Sequence, residues 1–315
     1  SQTWFTFTLP GSSLPSSVAT TGTNPVHVWI AEYGLNRIGQ VIYTDTSHVT
    51  FIEYPVTSTA NSQPFRLTLN GNYVWFTERG ANRIGRLDAT TGQVVEFYGH
   101  GLSAEAGLAG IDIAPDGSLY LAEQTINRLA RLVVTSTYAF HEYTTGVPIG
   151  PFGIAVEDNS RVHFTAPGSN QAGFLTPSTG GIVLATYIPP GSSPYDIAWD
   201  SAHEIAWFSE PNYDHLGGFF MGTLGIPTQL GPIARPYGLS HFKGNQLWIT
   251  QQVSAGALAR FVYTSTLTGE YSFTSYALPV QSLLPTSVSV AADNSVWTAA
   301  YVTVRIYLPV IFKNH

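Results

Sequence analysis

Short runs of alternating apolar and polar residues cover the whole chain, and Gly, Pro, Asn and Asp punctuate them. A period of two marks strands with one face buried. VWFTE from Val74 and NRIGRL from Asn82 are such runs, separated by a short loop. A Thr-Gly turn then leads to VVEFY from Val94. Before them, residues 64–69 form a further run that starts at a proline. Together these predict a four-stranded antiparallel meander, and no stretch carries the spacing of a convincing helix.

The meander repeats. WIAEYGLNRIG starts at Trp29, WFTERGANRIG at Trp75 and YLAEQTINRLA at Tyr120. Weaker copies are HFTAPGSNQAG at His163, WFSEPNYDHLG at Trp207, WITQQVSAGALA at Trp248 and WTAAYVTVRI at Trp297. Successive spacings are 46, 45, 43, 44, 41 and 49 residues. A second landmark precedes each copy: LPSSV, QPFRL, GLAGI, GPFGI, SPYDI, RPYGL and LPTSV. A third closes most copies, as IEYPV, VEFYG, HEYTT, ATYIP and SYALP. A period in the forties with four short strands per copy predicts the blades of a propeller.

The expected fold is therefore all-β, a single seven-bladed β-propeller of four-stranded blades. The blades span approximately residues 15–56, 64–99, 108–145, 151–189, 194–233, 236–279 and 285–309. The last lacks a fourth strand, and TFTLP near the N-terminus matches SYALP, so residues 3–9 are expected to complete it. Ring closure of this kind removes a bare sheet edge. Residues 310–315 remain as an apolar-led tail.

Composition narrows the function. Of 315 residues only 10% are charged, against about 25% in typical soluble proteins. The net charge is −7, no basic cluster occurs, and nucleic acid is excluded as a natural partner. No apolar run reaches the roughly 18 residues of a membrane span. Cysteine is absent, which excludes disulfides and thiolate metal sites. The chain begins at Ser1, its one methionine is Met221, and it is poor in lysine, so a secreted mature chain is expected. A charge-poor surface repels its own copies weakly, which favours self-association through faces or terminal strands.

The repeated WFTE-x-x-x-NRIGR and the P-x-G-I segments, as in PFGI and PYGL, resemble the streptogramin (virginiamycin B) lyase family over nearly the whole chain. The resemblance implies a seven-bladed propeller. It also implies opening of a cyclic depsipeptide by elimination, with magnesium, histidines and a glutamate at the mouth of the central channel. In this chain the residues after the Pro position are Ser16, Phe65, Ala109, Phe152, Tyr195, Tyr237 and Thr286, and none is histidine.

Three sets of residues are candidates. Glu32, Glu78, Glu123 and Glu210 end the second strand in four blades, and Arg37, Arg83, Arg128 and His215 follow five positions on. They are expected to pair within each blade and order its loop, the alternative being a carboxylate ring for a cation. The Asn before each Arg is expected to turn the loop by bonding backbone amides. His100, Glu105, Glu123 and His215 form a weak catalytic set without metal-motif spacing. Phe65, Phe152, Tyr195 and Tyr237, with Arg66 and Asp196 alongside, are expected to converge on the channel mouth and bind a sugar, a peptide or a flat apolar ligand. No cofactor is expected, magnesium entering only under a lyase activity. The leading expectation is a non-catalytic structural, adhesive or self-assembling module. The alternatives are a magnesium-dependent lyase and a carbohydrate or peptide receptor.

Overall fold

The structure is a computed structural model and describes residues 6–56, 61–185, 188–220, 228–242, 245–263, 271–279, 284–301 and 306–308. Seven four-stranded antiparallel sheets follow one another along the chain. Blade 1 comprises Pro15–Thr21, Val26–Glu32, Arg37–Asp45 and His48–Pro55, and blade 2 comprises Pro64–Asn70, Tyr73–Glu78, Arg83–Asp88 and Val94–Phe97. Blades 3 to 6 repeat this order from Leu108–Ile113, Ile154–Val156, Ile197–Asp200 and Pro236–Phe242. In blade 7 the strands Leu284–Val290, Val296–Tyr301 and Ile306–Leu308 are completed by Phe7–Thr8, in register Phe7 with Leu308 and Thr8 with Tyr307. The N-terminal strand thus closes its own ring. The tail at 310–315 lies outside the described residues.

The first strand of each blade touches that of the next, and blade 7 returns to blade 1. Seven apolar clusters result, one at each blade–blade interface. The aromatic opening each motif supplies the wedge. Trp29, Trp75, Tyr120, Trp207, Trp248 and Trp297 are all buried, and His163 takes the same place, stacked 5.2 Å from Trp199 of blade 5. Burial of such rings supplies the main stabilisation of the ring of blades.

Polar groups fix the blade order. Asn36, Asn82, Asn127, Asn170 and Asp214 all have φ between 53° and 60°, the left-handed region that Asn and Asp tolerate. Each side chain then accepts an amide from the following blade: Gln63 N at 2.9 Å, Ala106 N at 2.9 Å, Gly150 N at 2.9 Å, Ser193 N at 2.8 Å and Arg235 N at 2.7 Å. The expected loop-turning Asn is therefore also a clamp between blades.

A second belt surrounds the channel. Thr77, Thr165 and Ser209 donate to Ala109 O (3.0 Å), Tyr195 O (2.6 Å) and Tyr237 O (2.7 Å) of the next blade. Blades 1 and 7 carry Ala31 and Ala299 at that position. There Ser16 donates to Phe65 O (2.7 Å) and Thr286 to Pro15 O (3.1 Å) instead. These bonds give backbone carbonyls around the channel a hydrogen-bond partner in the neighbouring blade.

Candidate functional site at the channel mouth

The loops before each first strand and after each second strand share one face. There the residues that follow the prolines meet. Tyr33, Phe65, Phe152, Tyr195 and Tyr237 form a continuous arc of rings, with successive centroids 6.2, 5.8, 4.6 and 4.0 Å apart. Tyr33, Phe65, Tyr195 and Tyr237 of the arc border a cavity of about 330 Å³ whose wall also includes Leu14, Ser16, Arg66 and Thr286, while Phe152 is buried and does not line it. Edge-to-face and offset contacts of this kind hold the rings in place. The four aromatics expected at the mouth are brought together, and Tyr33, from the loop after Glu32, joins them.

Arg66 forms the floor. It faces Asp196 across the channel at 3.7 Å and sits 5.6, 5.8 and 5.9 Å from the rings of Phe65, Phe152 and Tyr195. Burial opposes its charge, but Asp196 and the oxygens of Tyr195 and Tyr237 outweigh that cost and hold it protonated. Asp196 also accepts Leu239 N at 2.9 Å, so its carboxylate is committed on two sides. Beside the pair, a channel of about 120 Å³ is lined by residues in or next to the first strand of all seven blades. Above it, Arg79 lies 5.1 Å over the Phe65 ring, held by Gln124 at 2.5 Å. Burial pushes the Tyr195 hydroxyl up, against the pull of Arg66, so it stays a neutral donor and acceptor.

The expected pairs of Glu32, Glu78 and Glu123 with Arg37, Arg83 and Arg128 are corrected. Each Glu and Arg are cross-strand neighbours in register. The guanidinium, however, bonds a glutamate of the fourth strand: Arg37 with Glu53 at 2.8 Å, Arg83 with Glu96 and Arg128 with Glu142. Glycine or alanine on strand three permits this. Gly39 is opposite Glu53, Gly85 opposite Glu96 and Ala130 opposite Glu142. A Cβ on Gly39 would lie 2.5 Å from Glu32 Oε1, so the missing side chain is what lets the two acids share one face. Blade 6 keeps the arrangement in neutral form, Ser275 donating to Gln251 Oε1 at 2.6 Å. Glu210 and His215 are also register neighbours, and His215 Nδ1 donates to Tyr213 O at 2.5 Å.

Glu32, Glu78 and Glu123 are fully buried. Burial pushes Glu32 up to about 7, with Glu53 adding to it and Ser13 and Arg37 opposing. Burial, then the charge of the neighbouring acid, pushes Glu78 and Glu123 up to about 8 against the pull of Arg83 and Arg128. These acids are blade-internal and do not line the mouth cavity.

The set His100, Glu105, Glu123 and His215 is not brought together. The His100 ring lies 4.5 Å from Tyr138 at the outer strand of blade 3, Glu105 is exposed, Glu123 is buried and His215 packs on Tyr213 in blade 5. The loop that carries His100 and Glu105 serves the blade instead. Within it, Ser103 N donates to Glu142 at 2.5 Å and Ser103 Oγ accepts from Arg128 at 2.9 Å.

A resident magnesium ion fits this mouth poorly. Mg²⁺ requires a near-octahedral set of oxygens and usually one or two free carboxylates. Among the described residues, the one carboxylate lining the mouth or channel is Asp196, which is already used, and Arg66 and Arg79 repel a cation. No group of three or more His, Asp or Glu with metal-holding geometry occurs among the described residues.

Fold and mouth define a seven-bladed propeller with an aromatic, cation-floored channel mouth. The chain matches the virginiamycin B lyase family over residues 2–261 and belongs to that family. It is similar in fold to a streptogramin B lyase, with 22% identity, 98% of this chain and 97% of the other covered, and a TM-score of 0.80. For the virginiamycin B lyase from Staphylococcus aureus the values are 22%, 99%, 100% and 0.81. For a catalytically inactive histidine-to-alanine form of that enzyme with quinupristin they are 22%, 99%, 100% and 0.80. No curated protein matches the chain.

Proposed function

We propose that this propeller is a non-catalytic recognition module. Its mouth takes a peptide or depsipeptide that offers an aromatic ring to the collar and carbonyl or carboxylate oxygen to Arg66. The observation that carries this reading is the unbroken arc from Tyr33 to Tyr237 above a buried guanidinium. Rings give contact area at low entropic cost. Arg66 has five donors, more than Asp196 uses.

The test is calorimetric titration with short peptides carrying Phe, Tyr or Trp beside a carboxylate. Binding that is lost in a Tyr195→Ala/Tyr237→Ala double variant supports the reading. Binding unchanged in that variant, or absent throughout the panel, removes it. Lyase activity is the second reading, favoured by family membership. It lacks a base and a metal ligand at the mouth among the described residues. Export remains a proposal resting on composition. Self-association is likewise proposed, through low-charge faces, because the N-terminal strand is used within its own ring.

A further inference from the structure

On the face away from the mouth, blade 1 departs from blades 2, 3 and 6. In each of those blades an arginine of strand three lies directly opposite the strand-two aromatic. That residue is Arg86 for Trp75, Arg131 for Tyr120 and Arg260 for Trp248. Arg86 and Arg131 lie across their aromatics at 5.4 and 5.8 Å. In blade 1 the residue opposite Trp29 is the shorter Gln40. It turns away to its neighbours: Tyr54 Oη donates to Gln40 Oε1 at 2.8 Å, and Gln40 Nε2 lies 2.8 Å from His27 Nδ1. A cleft of about 320 Å³ opens between blades 1 and 2, bordered by His27, Trp29, Gln40, Asn72, Tyr73 and Thr90.

The hydrogen-bond order fixes the chemistry of this cleft. Tyr54 supplies the proton to Gln40 Oε1, so the amide nitrogen of Gln40 points at His27 and donates to Nδ1. The proton of neutral His27 is then on Nε2, which is left as a donor for a ligand. Burial holds the imidazole below its usual value, so it stays neutral near pH 7. Among the described residues, no Lys, Arg, Asp or Glu borders the cleft. Its wall combines aromatic surface with amide, hydroxyl and imidazole groups. The lining residues give a charged ligand no counter-charge, the Arg86 guanidinium being 4.6 Å over the Tyr73 ring and engaged with it, and a purely apolar ligand strands the polar groups.

We infer that this inter-blade cleft is a second ligand site, for a neutral hydroxylated ring, that is, a carbohydrate. A sugar offers an apolar C–H face to Tyr73, which is 37% exposed, and hydroxyls to His27, Asn72 and Thr90. The site is independent of the mouth. Its volume is at the small end of ligand pockets, which suits one or two rings.

Saturation-transfer difference NMR with cellotriose, maltotriose, mannotriose and chitotriose tests it. At least one should receive saturation from the wild-type chain. Gln40→Arg, which installs the residue found in blades 2, 3 and 6, should put a longer, charged side chain into the cleft and weaken binding at least about tenfold, or ~1.4 kcal/mol. Asn72→Trp, at an exposed turn, should do the same without touching the core, and Tyr237→Ala at the mouth should leave binding intact. Transfer to none of the four sugars would overturn the inference. So would transfer that survives both blocking variants, or that is lost only in Tyr237→Ala.

Discussion

Arg37 Nη1 lies 2.8 Å from Glu53 Oε2, although its register partner across the strand is Glu32. Arg83 and Arg128 make the same choice with Glu96 and Glu142. Blades 1 to 3 therefore each enclose two acids and one guanidinium. With both acids ionised, one charge would stay uncompensated in a buried place. Keeping a proton on the strand-two acid avoids that cost. For Glu123 the nearby Glu142 carboxylate adds to the effect of burial.

Stability should therefore fall as pH rises from about 4.5 to about 8. The folded-state values of Glu32, Glu78 and Glu123 lie near 7, 8 and 8, above the ordinary carboxylic value of 4.5. For a raised acid, the folded state holds more protons than the unfolded chain between the two values. Its stabilisation is complete below the unfolded value and is lost as pH climbs through the folded one. His27 acts oppositely, its lowered value costing stability only on the acid side of about pH 6.5. Thermal midpoints across this window measure the slope. Glu78→Gln should flatten it, since an amide keeps the volume and carries no charge. An unaltered slope in that variant would count against the proton-sharing pairs.

The Asn clamp should show its two roles separately. Asn82 accepts Ala106 N at 2.9 Å and has φ of 53°. Asn82→Gly loses the bond but keeps the left-handed turn, whereas Asn82→Ala loses both. Urea unfolding should place Asn82→Ala about 1–3 kcal/mol below wild type and Asn82→Gly between the two.

Gly85→Ala should destabilise by about 1–3 kcal/mol, because its Cβ would lie 2.1 Å from Phe76 Cζ and 2.8 Å from Glu78 Oε1. Phe76→Leu should rescue part of that loss. Blade 3 already holds this combination, with Leu121 opposite Ala130. A double-mutant cycle reads the coupling, and strict additivity would contradict the packing account.

Arg66→Met should cost about 3–5 kcal/mol, since Asp196 is left buried with its cationic partner gone. Adding Asp196→Asn should recover much of this in chemical denaturation. No recovery would mean that Arg66 acts through packing alone.

The architecture is legible in the sequence because each blade repeats the same landmarks, so one uncertain copy is read from its neighbours. The left-handed Asn is legible for the same reason. Its inter-blade bond is not, because the donating amide lies more than twenty residues ahead in the following blade. The partner of Arg83 is not legible from register alone. Cross-strand pairing does place it beside Glu78, but Gly85 leaves an open path to Glu96. A signal exists in the glutamates of IEYPV, VEFYG and HEYTT, which accompany Glu32, Glu78 and Glu123 blade by blade. The aromatic collar is legible as one recurring position after the prolines. Tyr33 and Arg79 escape that reading because they come from a different loop, and the cleft at Gln40 depends on a side chain being shorter than its counterparts.

The recognition account is tested most directly by incubating the protein with quinupristin and excess magnesium, then separating intact compound from ring-opened isomer by reversed-phase chromatography. Elimination leaves the mass unchanged, so retention time is the readout. The account predicts intact quinupristin with and without the metal. A ring-opened product that forms only with protein and magnesium together would contradict it.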